Sequence, residues 1–81
     1  MKEAIINYMK NTSFKFDKFN SNETILLFIN KYKDVWNYTV EDKIYINLIN
    51  KTVICETDYE AMEIDTQILI ILDKIFILFN S

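Results

Sequence analysis

The side chains of this 81-residue chain that could carry chemistry are mainly carboxylates, because the sequence has no histidine and one cysteine, Cys55. Without histidine, a nucleophilic serine or cysteine lacks its usual general base. Phosphate-binding loops need glycine and bidentate grip on phosphate needs arginine, and the chain contains neither residue. We therefore expect a protein that is not an enzyme and that binds no cofactor.

Metal ligands are equally scarce. A lone Cys55 excludes a cysteine-based zinc site and an intramolecular disulfide. The acidic residues lack EF-hand spacing and its glycine, so we expect no metal. Cys55 alternates onto the same predicted strand face as Ile46 and Val53, which indicates a small buried hydrophobic residue and not a reactive thiol.

Five acidic residues lie within ten positions, with no basic residue among them: Glu56, Asp58, Glu60, Glu63 and Asp65. Acids in the first turn of a helix complement its dipole, which accounts for two of the five. The other three add a negative field suited to a basic partner surface, and we predict that all five bind a partner. The alternative is a solvated helix face with no function.

Lysines and phenylalanines interleave near the N-terminus, at Lys10, Phe14, Lys15, Phe16, Lys18 and Phe19. Such a pattern is superficially that of a surface for single-stranded nucleic acid. Strand alternation instead places Phe14 and Phe16 together on a core face. Since the net charge is −3 and arginine is absent, we expect no direct nucleic-acid binding.

Composition indicates one small globular domain spanning residues 1–81. A hydrophobic fraction of 51% excludes intrinsic disorder. Six lysines and four acids give residues 1–40 a charge of +2, whereas three lysines and eight acids give residues 41–81 a charge of −5. Many isoleucines, asparagines and lysines, without glycine, proline or arginine, are typical of AT-rich coding sequence. This bias suggests a phage or another mobile element as the source.

The sequence also bears on the cellular compartment. The N-terminal residues do not resemble a secretory signal. The longest apolar stretch, residues 68–79, is interrupted by Asp73 and Lys74 and is shorter than the ~20 residues of a membrane span. We expect a cytoplasmic protein without membrane contact.

The first half of the chain predicts a helix over 2–10, a strand over 13–19 and a second helix. Asn20 and Glu23 have the spacing of a capping box at the start of that second helix. Apolar residues then recur at helical spacing, at Ile25, Phe28, Ile29, Tyr32, Val35 and Trp36.

A β-hairpin is predicted next, from the β-branched runs at 43–49 and 52–57. A two-residue loop, Asn50-Lys51, would pair Leu48 with Val53, Ile46 with Cys55 and Ile44 with Thr57.

Residues 58–79 predict one long helix that follows a capping box from Thr57 to Glu60. A second hairpin around Asp73-Lys74 is the alternative, because isoleucine and phenylalanine favour strands. The helix is apolar nearly all round, which predicts an oligomer interface at Ile70, Lys74 and Ile77. The alternative is a helix laid across a small sheet and flanked by the other helices.

The predicted fold is α+β in the order α-β-α-β-β-α, with a small antiparallel sheet packed against helices. The predicted function is a non-enzymatic inhibitor that occludes a larger protein or ribonucleoprotein with a basic surface. Phage anti-defence proteins, anti-CRISPR proteins among them, and toxin-immunity proteins work in this way. The alternative is a homo-oligomeric regulatory or structural subunit, and in either case we expect a homodimer.

Overall fold

A computed structural model describes residues 1–57 and 66–80 and gives the α+β fold that the sequence predicts, in the order α-β-β-β-β-α. These residues form two helices and a four-stranded antiparallel sheet with strand order β1-β2-β3-β4. The elements are α1 (Lys2–Met9), β1 (Lys15–Phe16), β2 (Ile25–Lys33), β3 (Thr39–Asn47), β4 (Thr52–Thr57) and α2 (Thr66–Phe79).

The structure confirms the first helix, the first strand and a C-terminal helix. Residues 66–79 are helical, so the alternative of a second hairpin is wrong for them. Of the predicted capping box, the structure describes only Thr57, which ends β4. The rest of the box and the first turns of the long helix fall in 58–65, outside the described residues.

The predicted second helix is wrong, because residues 25–33 form strand β2. Five consecutive apolar side chains at 25–29 suit a central strand, which can bury both of its faces. Leu26 and Phe28 are buried on one face and Leu27 on the other. The predicted capping box is wrong as well. The Asn22 carboxamide oxygen instead accepts hydrogen bonds from the N–H groups of Thr24 and Ile25, both at 2.8 Å, where β2 begins.

The predicted hairpin exists, but its register is wrong by two residues. Ile46 pairs with Val53 and Ile44 with Cys55, and the loop spans residues 48–51. The Asn47 side chain causes this longer turn by accepting hydrogen bonds from the N–H groups of Ile49 (3.0 Å) and Asn50 (2.9 Å). A shift of two residues leaves every side chain on its predicted face.

Both helices pack on the same face of the sheet. The buried core contains residues of α1, α2, β2 and β3, together with Phe14 just before β1: Ile5, Met9, Phe14, Leu26, Phe28, Ile44, Ile46, Ile68, Ile71, Ile75 and Phe79. The molecule therefore has two layers, helices over sheet, and no described helix covers the second face of the sheet. We call that second face the open face.

Candidate partner-binding surfaces

Of the five predicted acidic residues, the structure describes Glu56, whereas Asp58, Glu60, Glu63 and Asp65 lie outside the described residues. Glu56 is exposed near the end of β4, on the open face. Its carboxylate accepts a long hydrogen bond of 3.4 Å from the Tyr45 hydroxyl. The acidic docking site therefore stays a prediction, with one member placed on an accessible strand.

Helix α2 has a buried inner face and an exposed apolar outer face. Inner residues recur at Ile68, Ile71, Ile75 and Phe79. The outer face, as we define it, consists of the exposed residues Leu69, Ile70, Phe76 and Ile77. The predicted interface residues Ile70 and Ile77 are 60% and 61% exposed, respectively. Isolated exposed apolar residues are normal, whereas four on one side of a helix make this face a candidate interaction surface.

The third predicted interface residue, Lys74, lies at the flank of that stripe, on the side of α1. Its ammonium nitrogen is 6.0 Å from the centroid of the Tyr8 ring, a cation–π arrangement at its long limit. Lys74 is exposed beyond this contact. Lys74 therefore places a positive charge beside the outer face on the α1 side. Asp73 lies along the helix between the two apolar pairs of the outer face, residues 69–70 and 76–77.

The turn between β2 and β3 forms a second apolar projection that the sequence analysis missed. The Asp34 carboxylate accepts hydrogen bonds from the N–H groups of Trp36 and Tyr38, both at 2.9 Å, and Asn37 adopts a positive φ of 66°. This turn exposes Val35, Trp36 and Tyr38, which we call the hairpin tip.

The prediction that Val35 and Trp36 lie on the apolar face of a helix is therefore wrong. Asp34 and Asn37, three residues apart, carried the turn signal, because both residue types favour turns and Asn tolerates a left-handed backbone.

The open face of the sheet is apolar at its centre and charged around it. Cross-strand neighbours place Leu27 beside Tyr45, and Tyr45 beside Ile54. The Glu41 carboxylate lies 3.8 Å from the Lys31 ammonium and 3.4 Å from that of Lys43. The hydrogen bond to Glu41 raises the pKa of Lys43, so this lysine stays charged well above neutral pH.

The basic and aromatic N-terminal segment divides between core and surface. Phe14 is buried and Phe16 half-buried, as the alternation predicts, whereas Phe19 is 98% exposed. A shallow groove of about 410 Å³ beside Phe19 is lined by Lys15, Lys18 and Lys31 and also by Asp17. Exposed lysines on flexible stems do not by themselves define a ligand site.

The prediction that Cys55 is buried is wrong, because β4 lies at the edge of the sheet and leaves the cysteine exposed. Partial burial, followed by the negative charge of Asp42, raises the pKa of the thiol. Asp42 itself is 6% exposed, and its Oδ1 atom has no hydrogen-bond partner. A raised pKa lowers the thiolate fraction, which is the opposite of what a nucleophilic cysteine requires.

Two further findings limit the chemistry of the described residues. Within 1–57 and 66–80, no three His, Cys, Asp or Glu side chains are grouped so that they could hold a metal ion. No helix in this part of the chain has the length and apolar character needed to cross a membrane.

Comparison with protein-family models, curated proteins and solved structures gives no match for this chain. Its function has to be argued from its own surfaces.

Proposed function

We propose that this chain is a non-enzymatic binding protein that inhibits a larger protein or ribonucleoprotein by occluding part of its surface. The observation that carries the proposal is the outer face of α2, where four large apolar side chains are exposed on a helix whose inner face is fully packed. Leaving such a stripe in water is unfavourable, and an apolar groove on a partner removes it from water.

The hairpin tip supports the same function. Trp36 is 76% exposed, and tryptophan and tyrosine are enriched among the residues that dominate binding energy at protein interfaces. The Asp34 hydrogen bonds hold the turn that presents Trp36 and Tyr38, which lowers the entropy cost of ordering them on binding.

The charge distribution favours a basic target. The acidic C-terminal half adds long-range attraction to a basic surface, which raises the association rate. A phage anti-defence protein, such as an anti-CRISPR protein, or a toxin-immunity protein acting in the cytoplasm has this combination of small size and acidity.

Capture from a lysate of the encoding organism tests the proposal. The wild-type chain is compared with the double variant Ile70→Glu/Ile77→Glu. The matched control is Phe19→Glu/Ile49→Glu, because it places the same two charges at other exposed apolar sites. We expect the wild type and the control to retain one target and the double variant to lose it.

The second half of the test is inhibition. Added wild-type chain should reduce the activity of the captured target, and the double variant should not. Equal capture by all three proteins, or a target whose activity is unaffected by saturating wild-type chain, would contradict occlusion through the outer face.

The acidic prediction has its own test, the triple variant Glu56→Lys/Glu63→Lys/Asp65→Lys, which leaves Asp58 and Glu60 unchanged. If these carboxylates steer the association, the on-rate of the wild type falls as salt is raised, and the variant associates more slowly at low salt. Circular dichroism first establishes that the variant is folded. An unchanged on-rate with unchanged salt dependence would return these acids to the solvated-face interpretation.

A homo-oligomeric regulatory or structural subunit is the second candidate, because Ile70 and Ile77 are exposed on one helix where a second copy can also pack. In that case the double variant dissociates the oligomer even without a target. Light scattering on purified protein separates the two functions of the outer face.

A further inference from the structure

The two edges of the sheet differ in how they are protected. Edge strands are commonly blunted by shortness, lysine, proline or a bulge. Strand β1 is two residues long and contains Lys15. Strand β4 has six residues, Thr-Val-Ile-Cys-Glu-Thr, with no lysine or proline, and its ladder with β3 is continuous over six pairs. The edge formed by β4 is therefore a template for another strand.

The register shows which main-chain groups of β4 point outward. Asp17 N–H donates to the Leu27 carbonyl at 2.8 Å, and Leu48 N–H donates to the Thr24 carbonyl at 2.8 Å. In an antiparallel ladder the residues of one strand alternate between its two neighbours. Odd-numbered residues of β2 therefore bond towards β1, and even-numbered ones towards β3.

The same alternation continues through β3 to the edge strand. Tyr45 and its pairing partner Ile54 bond to each other across the β3–β4 ladder, so the N–H and C=O groups of Val53 and Cys55 point away from the sheet. Neither residue has a main-chain partner on that side among the residues that the structure describes.

We propose that a second copy of this chain adds its β4 antiparallel to this edge, about a two-fold axis at Ile54, to form one continuous sheet. In this register Val53 exchanges both main-chain hydrogen bonds with Cys55 of the second copy, and the symmetric pair does the same. Ile54 then faces Ile54 of the second copy on the open face. All outward main-chain groups of Val53 and Cys55 are satisfied.

Self-complementarity favours a second copy over an unrelated strand. Apolar side chains meet at the centre of the shared ladder, and Thr52 faces Glu56 of the second copy at each end. A shift to a two-fold axis at Cys55 would place Glu56 opposite Ile54, and an axis at Val53 would place Lys51 opposite Cys55.

The pairing leaves the surface used by the proposed function available. A two-fold axis perpendicular to the sheet keeps both helical layers on the same side, so the dimer presents two α2 outer faces. Dimerisation through β4 does not depend on the target-binding proposal. The two are separable by variants on different elements.

Light scattering on the purified 81-residue chain is the first measurement. We expect twice the 9.7 kDa chain mass for the wild type at micromolar concentration and a monomer for Ile54→Lys, because two lysines would face each other at the axis. Ile49→Lys is the matched control, since Ile49 is an exposed isoleucine in the adjacent loop. Circular dichroism checks that each variant is folded.

Disulfide trapping tests the register independently. Opposed residues that are not hydrogen-bonded to each other have Cα atoms about 4.5 Å apart, within the range of a disulfide. The variant Ile54→Cys/Cys55→Ser should therefore cross-link to a dimer on mild oxidation. Wild-type Cys55 should not, because it lies diagonally across the axis from its symmetry mate, about 7–8 Å away.

Three outcomes would overturn the proposal. The first is a monomeric wild type, and the second is cross-linking of wild-type Cys55 in preference to the Ile54→Cys variant. The third is a dimer that survives Ile54→Lys but is lost in Ile70→Glu/Ile77→Glu, which would place the interface on α2.

Discussion

The inner and outer faces of α2 have similar residue types but different surroundings. Ile71 and Ile75 are buried against the sheet and α1, whereas Ile70 and Ile77 on the same helix are exposed. The inner face is accounted for by folding, since it completes the one core cluster found among the described residues. The outer face is not, and we propose that a partner covers it. The same residue type therefore stabilises the fold on the inner face and, in our proposal, binds a partner on the outer face.

The largest expected effect is on the inner face. Ile75→Ala removes a fully buried side chain and should lower the free energy of unfolding by about 2–5 kcal/mol. Ile77→Ala, two residues away on the outer face, should change it by less than ~0.5 kcal/mol. Urea denaturation measures both. Equal losses at the two positions would mean that the outer face is also packed.

An intermediate effect is expected at Asp42, the one charged residue that the structure shows buried on the helix-facing side of the sheet. Its Oδ1 atom is buried without a hydrogen-bond partner, which is unfavourable. Asp42→Val removes this atom and places a strand-favouring apolar side chain there, so we expect a gain of about 1–3 kcal/mol in unfolding free energy. A loss of stability would show that the Asp42 carboxylate has a favourable partner.

The smallest expected effects concern Cys55. Because its side chain is exposed, Cys55→Ser should cost less than ~0.5 kcal/mol, in contrast to the cost of a buried site. The raised thiol pKa should make alkylation several-fold slower than that of an unfolded control at a pH just below the ordinary thiol pKa.

The Asp42→Asn variant tests the origin of that shift. Removing the nearby negative charge lowers the thiol pKa, so alkylation should accelerate. The free energy of unfolding depends on pH through the Cys55 thiol. Because the folded-state pKa of this thiol is raised, its contribution to stability is fully present below the ordinary thiol pKa. The contribution falls as the pH rises towards the folded-state pKa. If Cys55 of the folded wild type were alkylated as fast as the unfolded control, the raised thiol pKa would be contradicted.

Local patterns in the sequence predict most elements of the fold but not strand β2. The helix at 2–10, the alternation of Phe14 and Phe16, the hairpin strands and the C-terminal helix follow from periodicity. Strand β2 does not, because the apolar positions from Ile25 to Trp36 satisfy helical spacing as well as a strand buried on both faces. Pairing with β3 decides between them, and pairing is a long-range property.

The candidate surfaces were predictable to different degrees. Ile70 and Ile77 follow from the apolar residues that surround the last helix on nearly all sides. The hairpin tip does not, since Trp36 was assigned to a helix that does not exist. Cys55 was assigned to the correct face but to a buried environment, because alternation specifies a face and cannot specify whether a strand is central or at an edge.

Calorimetric titration of the purified captured target tests whether the outer face of α2 binds it. We expect a negative heat-capacity change on binding for the wild type, the signature of apolar burial. We also expect at least a 100-fold loss of affinity for Ile70→Glu/Ile77→Glu, with an unfolding midpoint close to that of the wild type. Affinity and heat-capacity change that are the same for the wild type and the double variant would contradict binding through the outer face.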